Sequence, residues 1–207
     1  MDDPYFVHFQ EHSSCDSLSM LFRGDLCANL TNRPGRTIEK GSFVYLQGDS
    51  GQSVYFLKKG LIKTSLLSED GKEQILRLYK PGEIFGELCF CLKTRREQAV
   101  ALEAIDIVEL SFDRLIAHLQ HSPEALASFL SSVSDHLSDA YEQIRLLSFE
   151  SVRQRLIQTL LRLSGEIGEP QEHWSRLRHL LTQEDLARMI GARREVTSTG
   201  MVIMMRR

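Results

Sequence analysis

The sequence lacks the marks of a membrane or secreted protein. No apolar run reaches the ~20 residues that a membrane-spanning helix needs. The N-terminal stretch MDDPYFVHFQEH is acidic and has no apolar signal-peptide core, so we expect a cytoplasmic chain. A P-loop, a metal-binding motif and a nucleophile–base pair are also missing, and we therefore expect no enzymatic activity.

Cysteine is scarce, with only four residues in the chain: Cys15, Cys27, Cys89 and Cys91. A cytoplasmic chain would keep them as thiols. Their spacing matches no zinc site, and buried, unreactive thiols are the simplest interpretation. The alternative is that the four cysteines are redox-active or are ligands of an iron–sulfur cluster.

Charge is unevenly distributed along the chain. Residues 151–207 contain ten Lys/Arg and six Asp/Glu, a net +4, whereas residues 1–150 contain fifteen and twenty-two, a net −7. A basic end attached to an acidic domain is typical of a DNA-binding segment joined to a partner domain.

The first half of the chain predicts an all-β domain. Between residues 37 and 110, short runs rich in β-branched and aromatic residues alternate with glycines, as in a sandwich or barrel. Glu69-Asp70-Gly71 separates two such runs and predicts a hairpin.

A long helix is predicted after Ser122, which can cap it ahead of Pro123 and Glu124. Apolar residues then recur at steps of 4 and 3, which is a heptad seam rather than the wider stripe of a helix packed on its own domain. We favour a parallel dimer helix over intramolecular packing. The dimerisation residues are Leu126, Leu130, Val133, Leu137, Ala140, Ile144 and Leu147. Another amphipathic helix is predicted from Phe149 to Leu163, followed by a loop over residues 165–175.

Residues 181–199 predict a helix-turn-helix. Thr182 can cap a helix that buries Leu186 and Ile190, and Gly191 suits a left-handed turn before a second helix starting near Arg193. Arginine can contact guanine O6 and N7 together, and glutamate can accept from cytosine N4. The predicted DNA-binding residues are Thr182, Gln183, Arg193, Arg194, Glu195 and Thr199. The alternative is an ordinary pair of helices in a core.

Three stretches carry a family resemblance: PGEIFGEL at 81–88, RREQAVALEAIDIVEL at 95–110, and LTQEDLARMIGARREVTS at 181–198. With the long helix, they resemble the cAMP receptor protein/FNR family of bacterial transcription regulators. The resemblance implies an α+β fold divided into a jelly-roll sensor domain (the β-roll, residues 1–120), a dimerisation helix (121–150) and a helix-turn-helix domain (151–207). It also implies a homodimer that binds an inverted repeat in double-stranded DNA and contacts RNA polymerase.

Individual roles follow from the same resemblance. Arg194 and Glu195 match the family's base-reading positions, and Thr182 matches a phosphate contact. Thr199 stands where cAMP-responsive members have a second base-reading arginine, so the preferred half-site is expected to differ.

The resemblance places effector-binding residues at Gly86, Glu87, Leu88, Arg95 and Arg96. Glu87 would hold a ribose hydroxyl and Arg95 a cyclic phosphate. Against cAMP, Arg96 replaces a hydroxyl residue, Glu97 brings negative charge close to the phosphate, and the preceding loop is short. The alternative is that Glu87 and Arg95 pair with each other as a structural element of the roll.

Other cofactors are left open. The sequence lacks the cysteine spacing that an FNR-type iron–sulfur cluster requires, and Ile107 stands where the distant cysteine ligand is expected. A haem could take His8, His12 or His136, but no spacing supports it. The signal is therefore unknown.

The C-terminal tail STGMVIMMRR ends where family members continue into a β-hairpin wing. We expect this wing to be missing or shortened. Two functions follow: a DNA-binding regulator gated by a signal in the roll, or a dimeric sensor or interaction module with an incomplete DNA-binding domain.

Overall fold

A computed structural model of the chain describes residues 30–90, 93–170, 175–177 and 181–195. The first part of this range is mostly β, with a short 3-10 helix at Glu87–Cys89. Its strands are β1 Arg36–Ile38, β2 Phe43–Tyr45, β3 Ser53–Lys59, β4 Ile62–Leu67, β5 Glu73–Tyr79, β6 Ile84–Phe85, β7 Gln98–Ala101 and β8 Ile105–Ser111.

The strands form two four-stranded antiparallel sheets, with orders β1-β8-β3-β6 and β2-β7-β4-β5. Apolar side chains from both sheets meet in one core, including Leu57, Ile62, Phe85 and Ile107. The predicted hairpin is confirmed, because β4 and β5 pair across the turn that holds Gly71. The two facing sheets form the β-roll that the family resemblance predicts.

Two helices follow the roll: α1 Phe112–His121 and α2 Pro123–Phe149. The predicted cap of α2 is confirmed, since the Ser122 hydroxyl oxygen accepts from the backbone N–H of Ala125 at 3.2 Å. The helix contacts the roll through Gln143, whose side chain donates to the Ile75 carbonyl at 3.0 Å, and its residue Ser128 is buried.

The connection after α2 differs from the prediction. Helix α2 continues through Phe149, and α3 spans Val152–Ile167 instead of beginning at Phe149. The break falls at Glu150, whose extended backbone (φ −104°, ψ 145°) interrupts the helix. Ser151 then caps α3, because its hydroxyl oxygen accepts from the N–H of Gln154.

The loop predicted over 165–175 is also wrong. Strands β9 Gly168–Pro170 and β10 Ser175–Leu177 pair antiparallel after α3, which itself reaches Ile167. Helix α4 follows and spans Gln183–Ile190. Within the described ranges, no helix is long and apolar enough to span a bilayer.

Candidate functional site

The start of α4 is fixed by a reciprocal cap. The Thr182 hydroxyl oxygen accepts from the Asp185 N–H at 3.0 Å, and the Thr182 N–H donates to the Asp185 carboxylate at 3.0 Å. This capping box confirms the predicted helix start. Leu186 and Ile190 are buried as predicted, while Thr182 and Gln183 remain exposed at the helix N-terminus. An exposed helix N-terminus offers backbone N–H groups to a phosphate.

A left-handed residue ends α4. Gly191 has φ 61° and ψ 44°, as the sequence predicts for the turn. The next helical residues are Arg194 and Glu195, so the second helix begins one residue later than expected. Arg193, Arg194 and Glu195 are all exposed. Thr199 and the tail, where a missing or shortened wing is expected, lie outside the described residues.

Arg95 lies inside the roll, at 4% exposure. Its two terminal nitrogens donate to main-chain carbonyls, Nη1 to Gly86 at 2.7 Å and Nη2 to Ser53 at 2.7 Å. The guanidinium also stacks on the Tyr45 ring, 4.1 Å from its centroid. Gly86 permits this approach, because a Cβ there would lie 2.7 Å from Arg95 Nη1. Arg95 therefore connects the backbone at Gly86 with the backbone at Ser53 inside the roll.

Glu87 does not pair with Arg95, so the interpretation of a structural Glu87–Arg95 pair is wrong. Its Oε1 instead lies 2.9 Å from Nδ1 of His136 on α2, while its Oε2 is buried without a hydrogen-bond partner. The reason is geometric. The two terminal nitrogens of Arg95 donate to main-chain carbonyls, and α2 places the His136 imidazole beside Glu87. The contact joins the roll to the long helix.

Glu97 adds a second carboxylate to this buried region. It is 3% exposed and accepts from the Tyr45 hydroxyl at 3.0 Å. Burial, followed by the charge of nearby Glu87, raises the pKa of Glu97 to about 7. Two carboxylates, those of Glu87 and Glu97, therefore lie in the interior of the roll.

The predicted effector residues divide into two groups. Gly86, Glu87 and Arg95 come together in the interior, whereas Leu88 (49% exposed) and Arg96 face outward. A cyclic phosphate needs the free fork of an arginine. Both terminal nitrogens of Arg95 donate to main-chain carbonyls and two carboxylates lie nearby, an arrangement that disfavours a cyclic phosphate, although the buried Nε of Arg95 has no hydrogen-bond partner.

Redox and metal chemistry have little support in the described residues. Cys89 is buried, its thiol lies 3.3 Å from the Gly86 carbonyl, and burial raises its pKa, which disfavours the reactive thiolate. The described ranges hold no group of three His, Cys, Asp or Glu residues that could bind a metal. Cys15, Cys27, Cys91, His8 and His12 lie outside the described residues.

Sequence reasoning missed the stacking partners of Arg95 and the burial of Glu97. Tyr45 and Tyr55 stack with ring centroids 5.8 Å apart, and both flank the guanidinium. Strand alternation could have placed Tyr45 and Glu97 inward, but it does not show which side chains meet across the two sheets.

The predicted dimerisation residues lie on one exposed face of α2. Leu130 is 58% exposed, Leu137 51% and Ile144 59%, and Leu126, Val133, Ala140 and Leu147 are exposed as well. This face contrasts with the opposite one, where Gln143 donates to the Ile75 carbonyl of the roll at 3.0 Å. Packing within the chain therefore leaves the heptad seam exposed.

Comparison with known proteins agrees with both halves of this architecture. Residues 35–122 match the model of the cyclic nucleotide-binding domain, and residues 154–206 match the Crp-like helix-turn-helix domain. A CRP-like cAMP-activated global transcriptional regulator of Mycobacterium tuberculosis is 28% identical over 78% of this chain and 73% of its own. The Bacillus subtilis anaerobic regulatory protein is also 28% identical, over 77% and 68%.

Solved structures share the fold. The c-di-GMP responsive global regulator CLP of Xanthomonas campestris superposes with a TM-score of 0.73 at 23% identity, covering 92% of each chain. A CooA variant from Carboxydothermus hydrogenoformans gives 0.72 at 22% identity, covering 87% of this chain and 78% of its own.

The fold and the two matched domains define a transcription regulator with a cyclic nucleotide-binding-type roll and a helix-turn-helix DNA-binding domain. More particularly, the chain belongs to the cAMP receptor protein/FNR family.

Proposed function

We propose that the chain acts in the cytoplasm as a homodimer whose affinity for an inverted repeat in DNA is set by a signal sensed in the roll. The observation that carries the proposal is the exposed heptad seam on α2. Seven apolar or small side chains at heptad spacing are exposed in the single chain, and a second copy of α2 would cover them.

Dimerisation would allow the helix-turn-helix to bind an inverted repeat. Two copies related by a two-fold axis present two recognition segments, which fit half-sites about 34 Å apart in successive major grooves. Arg194 and Glu195 would read base edges, with Arg193 beside them and Thr199 further along the helix. Thr182 and Gln183 at the start of α4 would bind phosphates.

The roll would supply regulation. The Glu87–His136 contact connects its interior with α2, so a ligand or chemical change that disturbs this contact favours one packing of the helix pair over another. We propose a signal other than a cyclic phosphate, because Arg95 donates to two main-chain carbonyls. The DNA-bound dimer would act, as activator or repressor, with RNA polymerase as its partner.

Selection from a random DNA library tests the proposal. The reduced, purified protein is incubated with the library at a stated salt concentration, because phosphate contacts weaken steeply as salt rises. Enrichment of an inverted repeat with half-sites one helical turn apart is the expected result. If reduced, oxidised and cAMP-containing samples all fail to enrich a sequence, the chain is either a dimeric sensor or interaction module, or a regulator whose effector was missing from all three samples.

A further inference from the structure

A buried chain of charges crosses from the roll to the helix-turn-helix. Lys63 on β4 places its Nζ 2.8 Å from Asp185 of α4 and 3.4 Å from Glu73 of β5. All three side chains are only about one-tenth exposed. Glu73 also pairs with Arg188, one turn along α4. Because a buried charge without its partner is strongly destabilising, these pairs hold α4 in one position on the roll.

Apolar packing joins the same two elements. A single cluster combines Leu61, Ile75, Leu78 and Leu102 of the roll with Leu163, Leu186 and Met189 of the helices beyond α2. Leu186 and Met189 are 6% and 4% exposed. Moving the helix-turn-helix away from the roll would expose this apolar surface to water.

Hydrogen bonds fix the end of α4, where the turn toward Arg194 begins. The Met189 carbonyl accepts from the Gln74 side chain of β5 at 3.0 Å, and Gln143 of α2 approaches the same carbonyl at 3.5 Å. A Cβ on Gly191 would lie 2.8 Å from Leu147 Cδ2 of α2 and 3.3 Å from Gln74 Oε1. The turn is therefore held jointly by the roll and the long helix.

We infer that this contact, which we call the β5–α4 joint (Lys63, Glu73, Gln74, Asp185, Arg188 and Met189), carries the state of the roll directly to the helix-turn-helix within one subunit. The inference rests on the proposed function, in which the roll senses a signal. It adds a route that does not depend on the pairing of the two long helices. Since the ion pairs and the apolar cluster must separate together, the joint is either closed or open.

The test compares variants by amide hydrogen exchange of residues 183–190 in the full chain. Lys63→Met with Asp185→Asn removes the central ion pair while an amide oxygen at position 185 can still cap α4. Exchange in α4 should rise at least about 10-fold, whereas protection of β3 and β8 stays unchanged. Lys58→Met is the matched control, because it removes a roll ion pair with Asp106 that does not touch α4. Unchanged exchange of α4 in the double variant would overturn the joint.

A second perturbation tests transmission. Glu87→Gln alters the roll interior, and we expect it to change the amide exchange rate of α4 in the wild-type background. In the Lys63→Met/Asp185→Asn background the same substitution should change that rate by less than about 2-fold, because the two sites are then uncoupled. An equal change in both backgrounds means that the effect travels through α2 and overturns the inference. DNA binding by the same variants is measured separately. If the exchange results are as expected but the protein binds no DNA, the β5–α4 joint is supported and the proposed function is contradicted.

Discussion

Glu87 of the roll and His136 of α2 lie 2.9 Å apart, Oε1 to Nδ1, although 49 residues separate them in the sequence. Both side chains are largely buried. The His136 ring also meets the edge of Tyr79, with centroids 5.6 Å apart. The roll and the long helix are therefore joined by a polar contact that is largely shielded from solvent.

Replacing His136 with leucine should destabilise the chain. Glu87 would be left with both carboxylate oxygens buried and unpaired, which costs about 1–3 kcal/mol in the free energy of unfolding. His136→Gln keeps a donor at this position and should recover part of the loss. Urea unfolding measures both, with His118→Leu on α1 as a control. Equal stability of the leucine and wild-type chains would show that the contact contributes nothing.

Glu97 makes stability depend on pH. Its pKa is about 7 in the folded chain and about 4.5 when unfolded. Below pH 4.5 both states are protonated. Between these values the unfolded state releases its proton while the folded state retains it, so the free energy of unfolding falls by about 3 kcal/mol as pH rises to 7.

Glu97→Gln removes this ionisation. The variant should lack that part of the slope between pH 4.5 and 7 and be more stable than wild type at pH 8, as read from urea unfolding across the range. Glu39→Gln, at an exposed position, is the control and should keep the wild-type slope. A Glu97→Gln chain that keeps the same slope would contradict the assignment.

Arg95 should matter for stability without any ligand. Lysine cannot reproduce a planar fork that reaches both the Gly86 and Ser53 carbonyls, so Arg95→Lys should lower the free energy of unfolding by about 2 kcal/mol. Arg96→Lys, at an exposed position, should have no effect. A phosphate-binding arginine would behave differently: Arg95→Lys would be neutral alone, and cAMP at 100 times its Kd would stabilise the wild type by about 2.7 kcal/mol.

The exposed seam predicts the assembly. Leu130→Glu places a charge in the middle of the α2 face and should convert the proposed dimer to a monomer, since two carboxylates would oppose each other in an apolar interface. Sedimentation velocity measures the outcome. Leu161→Glu is a matched control, because Leu161 on α3 is 59% exposed, as Leu130 is 58%, but lies outside the seam. Dimers that survive Leu130→Glu would place the interface elsewhere.

Local signals predicted much of this structure. The Thr182 cap, the left-handed Gly191 and the Gly71 hairpin depend on residues within a few positions of each other, and the structure has all three. Heptad spacing likewise predicted which face of α2 is exposed in the single chain. Each of these features is set by short-range backbone geometry or by helical periodicity.

The interior of the site could not be predicted in this way. Lys63 and Asp185 meet across 122 residues, and nothing near either one indicates its partner. Arg95 donates to main-chain carbonyls. Every residue has such a carbonyl, so the sequence does not indicate which ones Arg95 contacts. The end of α2 was misjudged because Phe149 suits the apolar pattern of either helix, whereas the break depends on the backbone at Glu150.

Arg194 offers the sharpest test of DNA reading. It is exposed at the start of the second helix, just beyond the Gly191 turn, where a guanidinium can reach guanine O6 and N7. Arg194→Ala should weaken binding to the selected site by about 1–3 kcal/mol and relax the choice at one base pair, while leaving nonspecific binding nearly unchanged. Arg114→Ala, at an exposed position on α1, removes the same charge outside the helix-turn-helix. Fluorescence anisotropy with sites altered one base pair at a time separates the two effects. If Arg194→Ala weakens all sequences equally, its guanidinium binds phosphate, and base reading belongs to its neighbours.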